Sequence, residues 1–87
     1  MKIILVGFLK KELNKEYIEV KLNKPMKLTE ILDNAPQLSK LIFTETKKLS
    51  PLFIFLKNGV SIDIINESEL ILNDEDTLTI IPISHGG

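Results

Sequence analysis

Residues 73–87 of this 87-residue chain read NDEDTLTIIPISHGG, and they contain the best-patterned strand of the sequence. Leu78 and Ile80 would lie on one face of that strand, because side chains alternate between the two faces of a sheet. Pro82 has no N–H to donate to a neighbouring strand, so we expect the chain to leave the sheet there. The pattern therefore predicts a last strand that ends a few residues before the chain does.

The chain ends in two glycines, Gly86 and Gly87. Glycine has no Cβ and tolerates backbone angles that are closed to other residues, so such an ending can enter a narrow cleft. We therefore predict a folded domain of residues 1–83 and a flexible tail of residues 84–87. The tail would present the terminal carboxylate to the chemistry of another protein.

Composition excludes several classes of function. The 44% hydrophobic fraction is sufficient for one small domain, and the absence of cysteine rules out disulfides and thiolate chemistry. All eleven basic residues are lysine and the net charge is −1, which argues against a nucleic-acid-binding protein. The apolar run at residues 3–9 is too short for a signal peptide or a membrane span. We expect a cytoplasmic protein with no membrane partner.

Patterning along the first half predicts a hairpin and a helix. Residues 2–9 read as one buried strand, residues 10–14 as a turn and residues 17–22 as a half-buried second strand. Thr29 is the predicted N-cap of the helix, and Pro36 should interrupt it and open a second short one. The apolar face of this region recurs at intervals of three and four and comprises Leu28, Ile31, Leu32, Ala35, Leu38, Leu41 and Ile42.

The second half predicts further strands. Residues 52–56 are dense in apolar side chains, and Asn58-Gly59 is a strong signal for a type I′ hairpin turn that leads into a return strand at 61–65. The order β-β-α-β-β-β favours an α+β fold, a mixed sheet of four to five strands with one main helix on one face. The first and last strands should form the central pair. Phe8, Phe53 and Phe55 are predicted to lie in the core.

With this order and a terminal diglycine, the chain resembles the ubiquitin-like β-grasp fold. Within it, the chain is similar to the sulfur-carrier family, comprising the small subunit of molybdopterin synthase (MoaD-like) and its relative in thiamine synthesis (ThiS-like). The sharpest resemblance lies in residues 73–87: an acidic turn, an apolar strand, a proline and the diglycine. Glu75, Ile83 and His85 depart from the usual pattern of the family. Residues 35–38 (APQL) and the chain length favour the molybdopterin group.

The resemblance implies a non-catalytic carrier that binds no cofactor itself. An E1-like adenylating enzyme would use ATP to activate the carboxylate of Gly87, and a sulfur donor would convert it to a thiocarboxylate. The large subunit of molybdopterin synthase would then accept the sulfur. Three alternatives remain open: a ubiquitin-like modifier that is joined to protein lysines, a sulfur carrier for thiamine synthesis, and a non-covalent β-grasp binding module whose tail is unused.

The same resemblance implies which residues act. Gly87 would be modified, and the residues inserted into the partner's active site would be Ile83, Ser84, His85 and Gly86. Thr79, Ile81 and Pro82 form the predicted docking face. No residue is expected to be catalytic and no metal is expected, since the lone histidine lacks a positioned partner and the acidic turn lacks calcium-site spacing.

Overall fold

The computed structural model describes residues 1–43, 50, 52–62 and 70–83. The strands in these residues are β1 (Lys2–Leu5), β2 (Tyr17–Glu19), β3 (Met26–Lys27), β4 (Phe53–Lys57), β5 (Val60–Ile62), β6 (Ile71–Leu72) and β7 (Thr77–Pro82). The helices are α1 (Phe8–Leu13), α2 (Leu28–Asp33) and α3 (Pro36–Ile42). The predicted return strand at 61–65 is described only as far as Ile62, and residues 63–65 lie outside the described residues.

Five strands form a mixed sheet in the order β2-β1-β7-β4-β5. The middle strand, β7, is parallel to β1, with Leu5 opposite Ile80, and antiparallel to β4. The prediction that the first and last strands of the chain pair centrally is thus confirmed. Because β1 and β7 are parallel, both strands end at the same end of the sheet.

The inner face of this sheet and the helices α2 and α3 share one core. Leu78, Ile80 and Phe55 are fully buried, and Phe53 is nearly so, as the alternation predicted. The predicted apolar face of the helical region is buried, with Leu41 partly so; its buried members are Leu28, Ile31, Leu32, Ala35, Leu38 and Ile42. The α+β class with a mixed sheet is therefore confirmed.

The helical region is divided into two helices near Pro36, as expected, but its first helix begins before the predicted N-cap. Helix α2 ends at Asp33 and α3 begins at Pro36, whose fixed φ suits the first turn. The N-cap is Lys27, not the predicted Thr29, because β3 keeps the backbone extended up to that residue. The Glu30 carboxylate, at the third position of the helix, accepts a hydrogen bond from the backbone N–H of the N-cap residue Lys27 at 3.2 Å.

The predicted first strand over residues 2–9 is too long. Strand β1 ends at Leu5, and Gly7, at φ 63°, turns the chain into the helix α1, where a polar turn was expected. Leu9 from α1 is fully buried, but Phe8 is 47% exposed, so its prediction as a core residue is wrong. The first two strands still pair antiparallel, with Ile3 opposite Ile18.

The Asn-Gly turn between β4 and β5 has the predicted geometry, with φ of 50° at Asn58 and 85° at Gly59. The Asn58 side chain also connects this turn to the start of β7: its amide donates to Asp76 at 2.9 Å, and its oxygen accepts from the Thr77 N–H at 2.9 Å. Asp76 in addition accepts the Asn73 N–H at 2.7 Å. The buried Asp76 carboxylate thus hydrogen-bonds both to the Asn58-Gly59 turn and to the turn that begins at Asn73.

Asp76→Asn is expected to lower the free energy of unfolding by about 2 kcal/mol at neutral pH, since a charge-assisted hydrogen bond is lost. The Asn73 N–H, followed by the Asn58 amide, holds the pKa of Asp76 below its ordinary value. The folded pKa is depressed, so the stabilisation is complete above the unfolded pKa and is lost as pH falls through the folded one. Urea unfolding should show the difference between variant and wild type shrinking below about pH 4. A difference that does not change with pH would contradict this role.

Candidate functional site

The end of β7 is the point from which the predicted tail departs. Pro82 is paired opposite Phe53 of β4, and the Ile83 N–H donates to the Leu52 carbonyl at 2.7 Å. The chain therefore stays beside β4 one residue longer than predicted. Since N–H groups alternate in direction along a strand, the donor that Pro82 lacks would point towards β1, which has already ended at Leu5.

Two residues of the predicted docking face lie on the outer face of the sheet. Thr79 and Ile81 lie half-buried on this face, with Ile81 opposite Ile54 of β4, which is 39% exposed. Thr79 lies between Leu56 of β4 and Ile4 of β1 in the register. A strip of apolar side chains therefore runs over the outer face towards the end of β7.

Pro82 does not belong to that strip. Alternation along β7 puts it on the same face as Leu78 and Ile80, and its Cγ lies 3.0 Å from where a Cβ on Gly7 would stand. Pro82 therefore lies on the opposite face of β7 from Thr79 and Ile81, and the docking role predicted for these three residues stays a prediction. Pro82 instead lies close to Gly7, in the turn after β1.

Exposed apolar side chains surround this point. Phe8 is 47% exposed, Leu52 50% and Ile83 41%, and we call these three residues the collar. The Phe8 ring packs on that of Phe53 at 5.9 Å between centroids. Sequence reasoning missed Phe8 and Leu52 as site residues. Apolar side chains of this kind are ordinarily assigned to the core. The exposure of Phe8 becomes evident only from the turn at Gly7, which ends β1 and begins α1.

The predicted tail residues Ser84, His85, Gly86 and Gly87 lie outside the described residues. Ile83 is the member of the predicted inserted segment that the structure describes. The assignment of the tail as the reactive part thus stays a prediction, and so does the boundary between residues 1–83 and 84–87.

The acidic turn has a structural role at the other end of β7. The Asp74 carboxylate accepts hydrogen bonds from the Leu22 N–H at 2.8 Å and from the Met1 ammonium group at 3.0 Å. The Leu22 N–H in particular lowers the pKa of Asp74. Asp76 precedes β7, whose six residues span about 17 Å, so these carboxylates lie far from the collar. In the described ranges no three potential metal ligands come together.

Comparison with solved structures identifies the architecture. The structure of SAMP1 from Haloferax volcanii superposes with a TM-score of 0.83 at 20% identity, covering 100% of this chain and 98% of that chain. A chain of the BexX/CysO complex from Amycolatopsis orientalis gives 0.77 at 22% identity, covering 99% and 98%. These likenesses confirm the predicted fold, the ubiquitin-like β-grasp.

A third structure identifies the family. Urm1 from Sulfolobus solfataricus is 31% identical, with a TM-score of 0.72, over 95% of this chain and 100% of that one. The chain therefore belongs to the Urm1 family. No protein-family model and no curated protein matches the sequence. Among the described residues, no helix is long and apolar enough to cross a membrane.

Proposed function

We propose that this chain is a sulfur carrier whose reactive group is the carboxylate of Gly87. The observation that supports this most strongly is that β7 ends beside exposed apolar side chains at Pro82, four positions before the diglycine begins. Membership of the Urm1 family supports a carrier role. On this proposal the body positions the tail, and the partner enzymes supply acid, base and metal chemistry.

Activation overcomes the poor electrophilicity of a carboxylate. A carboxylate oxygen of Gly87 attacks the α-phosphorus of ATP, pyrophosphate leaves, and an acyl-adenylate forms. Hydrosulfide then attacks the acyl carbon, AMP leaves and a proton is released, which yields the thiocarboxylate. An E1-like adenylating enzyme would bind ATP and catalyse this step, and the tail contributes reach and a small cross-section.

The acceptor that we propose is the precursor of molybdopterin, held by the large subunit of molybdopterin synthase. This finer assignment rests on the resemblance of residues 73–87 and of residues 35–38 to the small subunit of that enzyme. Docking would use the outer-face strip that includes Thr79 and Ile81, beside the departure point of the tail. The described residues contribute a surface to this complex and no reacting group.

A second candidate is a protein modifier, in which the activated Gly87 is joined to a lysine of another protein. Structural neighbours known as small archaeal modifier protein 1, from Haloferax volcanii and Methanosarcina acetivorans, favour this candidate. Carrier and modifier share the adenylation step and differ in the nucleophile that displaces AMP, sulfide or an amine.

A cell experiment separates the two candidates. Deleting the gene should abolish the activity of molybdenum or tungsten enzymes if the chain supplies sulfur to molybdopterin, and added sulfide should not replace it. Mass spectrometry of the wild-type proteome should then show no isopeptide between Gly87 and lysine. Normal activity of those enzymes in the deletion strain, together with such isopeptides, would instead establish the modifier role.

A further inference from the structure

The reach of the tail limits where a partner can bind. Residues 84–87 span at most about 14 Å beyond Ile83 when fully extended. A partner that binds Gly87 in a cleft must therefore bring the mouth of that cleft close to Ile83. The surface around Ile83 is the collar, whose three side chains are each about half exposed.

We propose that the collar is the docking surface for the enzyme that adenylates Gly87, and that Phe8 is its main anchor. This inference rests on the proposed function. The Phe8 ring packs on Phe53 at a tilt of 52° between the ring planes, and it still exposes 47% of its surface. Aromatic side chains that are already held in place make strong anchors, because little conformational entropy is lost on binding.

The position of Phe8 is also fixed relative to the tail. Gly7 precedes it and lies against Pro82, while Leu52 accepts the hydrogen bond from Ile83. The Phe8 ring also packs on Phe53, which is paired with Pro82 in the sheet, so Phe8 lies beside the end of β7. A partner that recognises Phe8 thereby places the tail at the mouth of its cleft.

The flank of the collar defines the partner further. A depression of about 400 Å³ is lined by Gly7, Lys10, Lys11, Asn14, Lys15 and Glu16. Lys10 pairs with Glu16 at 3.4 Å, whereas Lys11 and Lys15 form no ion pair in the described part of the chain. The complementary partner has an apolar recess for Phe8 at its cleft mouth and carboxylates beside that recess.

The test measures ATP–pyrophosphate exchange with the cognate adenylating enzyme as a function of carrier concentration. Phe8→Ser should raise KM by at least about tenfold and leave kcat nearly unchanged, because docking is weakened and the tail is intact. Val60→Ser is the matched control, since Val60 is 70% exposed next to the Asn-Gly turn at the other end of the sheet. Its KM should equal that of the wild type.

Leu52→Ser provides a second variant should Phe8→Ser fold poorly, and it should raise KM in the same direction. Lys11→Glu should raise KM at low salt, with the effect shrinking as salt is added. If folded Phe8→Ser and Leu52→Ser keep the wild-type KM, the collar is not the docking surface, although the proposed function survives. If the wild type itself supports no exchange, both proposals fail.

Discussion

Replacing Gly86 by alanine is expected to slow thiocarboxylate formation by about 100-fold and to leave the melting temperature unchanged. Gly86 lies three positions beyond the Ile83 N–H, the last backbone donor described in the sheet region, and outside the predicted folded domain of residues 1–83, so we expect the domain to keep its stability. A Cβ at residue 86 restricts φ and widens the tail where it must enter a narrow cleft. Single-turnover kinetics with the adenylating enzyme, ATP and sulfide would measure the rate.

Gly59→Ala is the matched control for that variant. Gly59 has φ 85°, and a Cβ there would meet no atom within 4 Å, so the change strains one turn far from the tail. It should reduce stability and leave the transfer rate unchanged at a temperature where the protein is folded. Equal transfer rates for Gly86→Ala and the wild type would show that the tail does not thread a tight cleft.

Gly7→Ala is expected to lower the free energy of unfolding by about 3 kcal/mol, the larger of two glycine effects. Gly7 combines φ 63° and ψ −134°, a region open almost only to glycine, with a close neighbour, since Pro82 Cγ lies 3.0 Å from where an alanine Cβ would stand. At Gly59 an alanine would be strained by the positive φ alone, so Gly59→Ala should lower the free energy of unfolding by about 1 kcal/mol. Urea unfolding of both variants measures the two losses.

The Gly7 variant also tests how the collar is held. If its loss of stability only equals that of Gly59→Ala, the turn after β1 moves away from Pro82 at no cost, and Phe8 is not rigidly placed. A clearly larger loss supports a rigid connection between α1 and the end of β7.

Local sequence patterns predicted much of the fold. The alternation in residues 77–81, the intervals of the helical apolar face and the Asn-Gly turn each need only neighbours along the chain, and each was found. Family resemblance in residues 73–87 led to the ubiquitin-like class, which the comparisons confirm. These predictions agree with the structure because the period of side chains along a strand or helix, and the geometry of a turn, depend only on residues close together in the sequence.

The missed features depend on contacts between distant parts of the chain. The run at residues 3–9 is apolar throughout, and periodicity alone does not separate a long strand from a strand followed by a short helix. The pair β3–β6 has two residues a side and unites Met26 with Leu72, which no local pattern reveals. Asp74 binds the Met1 ammonium group 73 residues away. The role of Phe8 follows only after the turn at Gly7 is known.

Intact-mass analysis tests the central claim most directly. The purified chain is incubated with ATP, sulfide and a competent adenylating enzyme, and its mass is compared with that of a parallel reaction without ATP. The proposed function predicts the mass increase of one terminal oxygen replaced by sulfur, located in the C-terminal peptide and dependent on ATP. An unchanged mass, with an enzyme that converts another carrier in the same assay, would contradict the assignment of Gly87 as the sulfur-bearing residue.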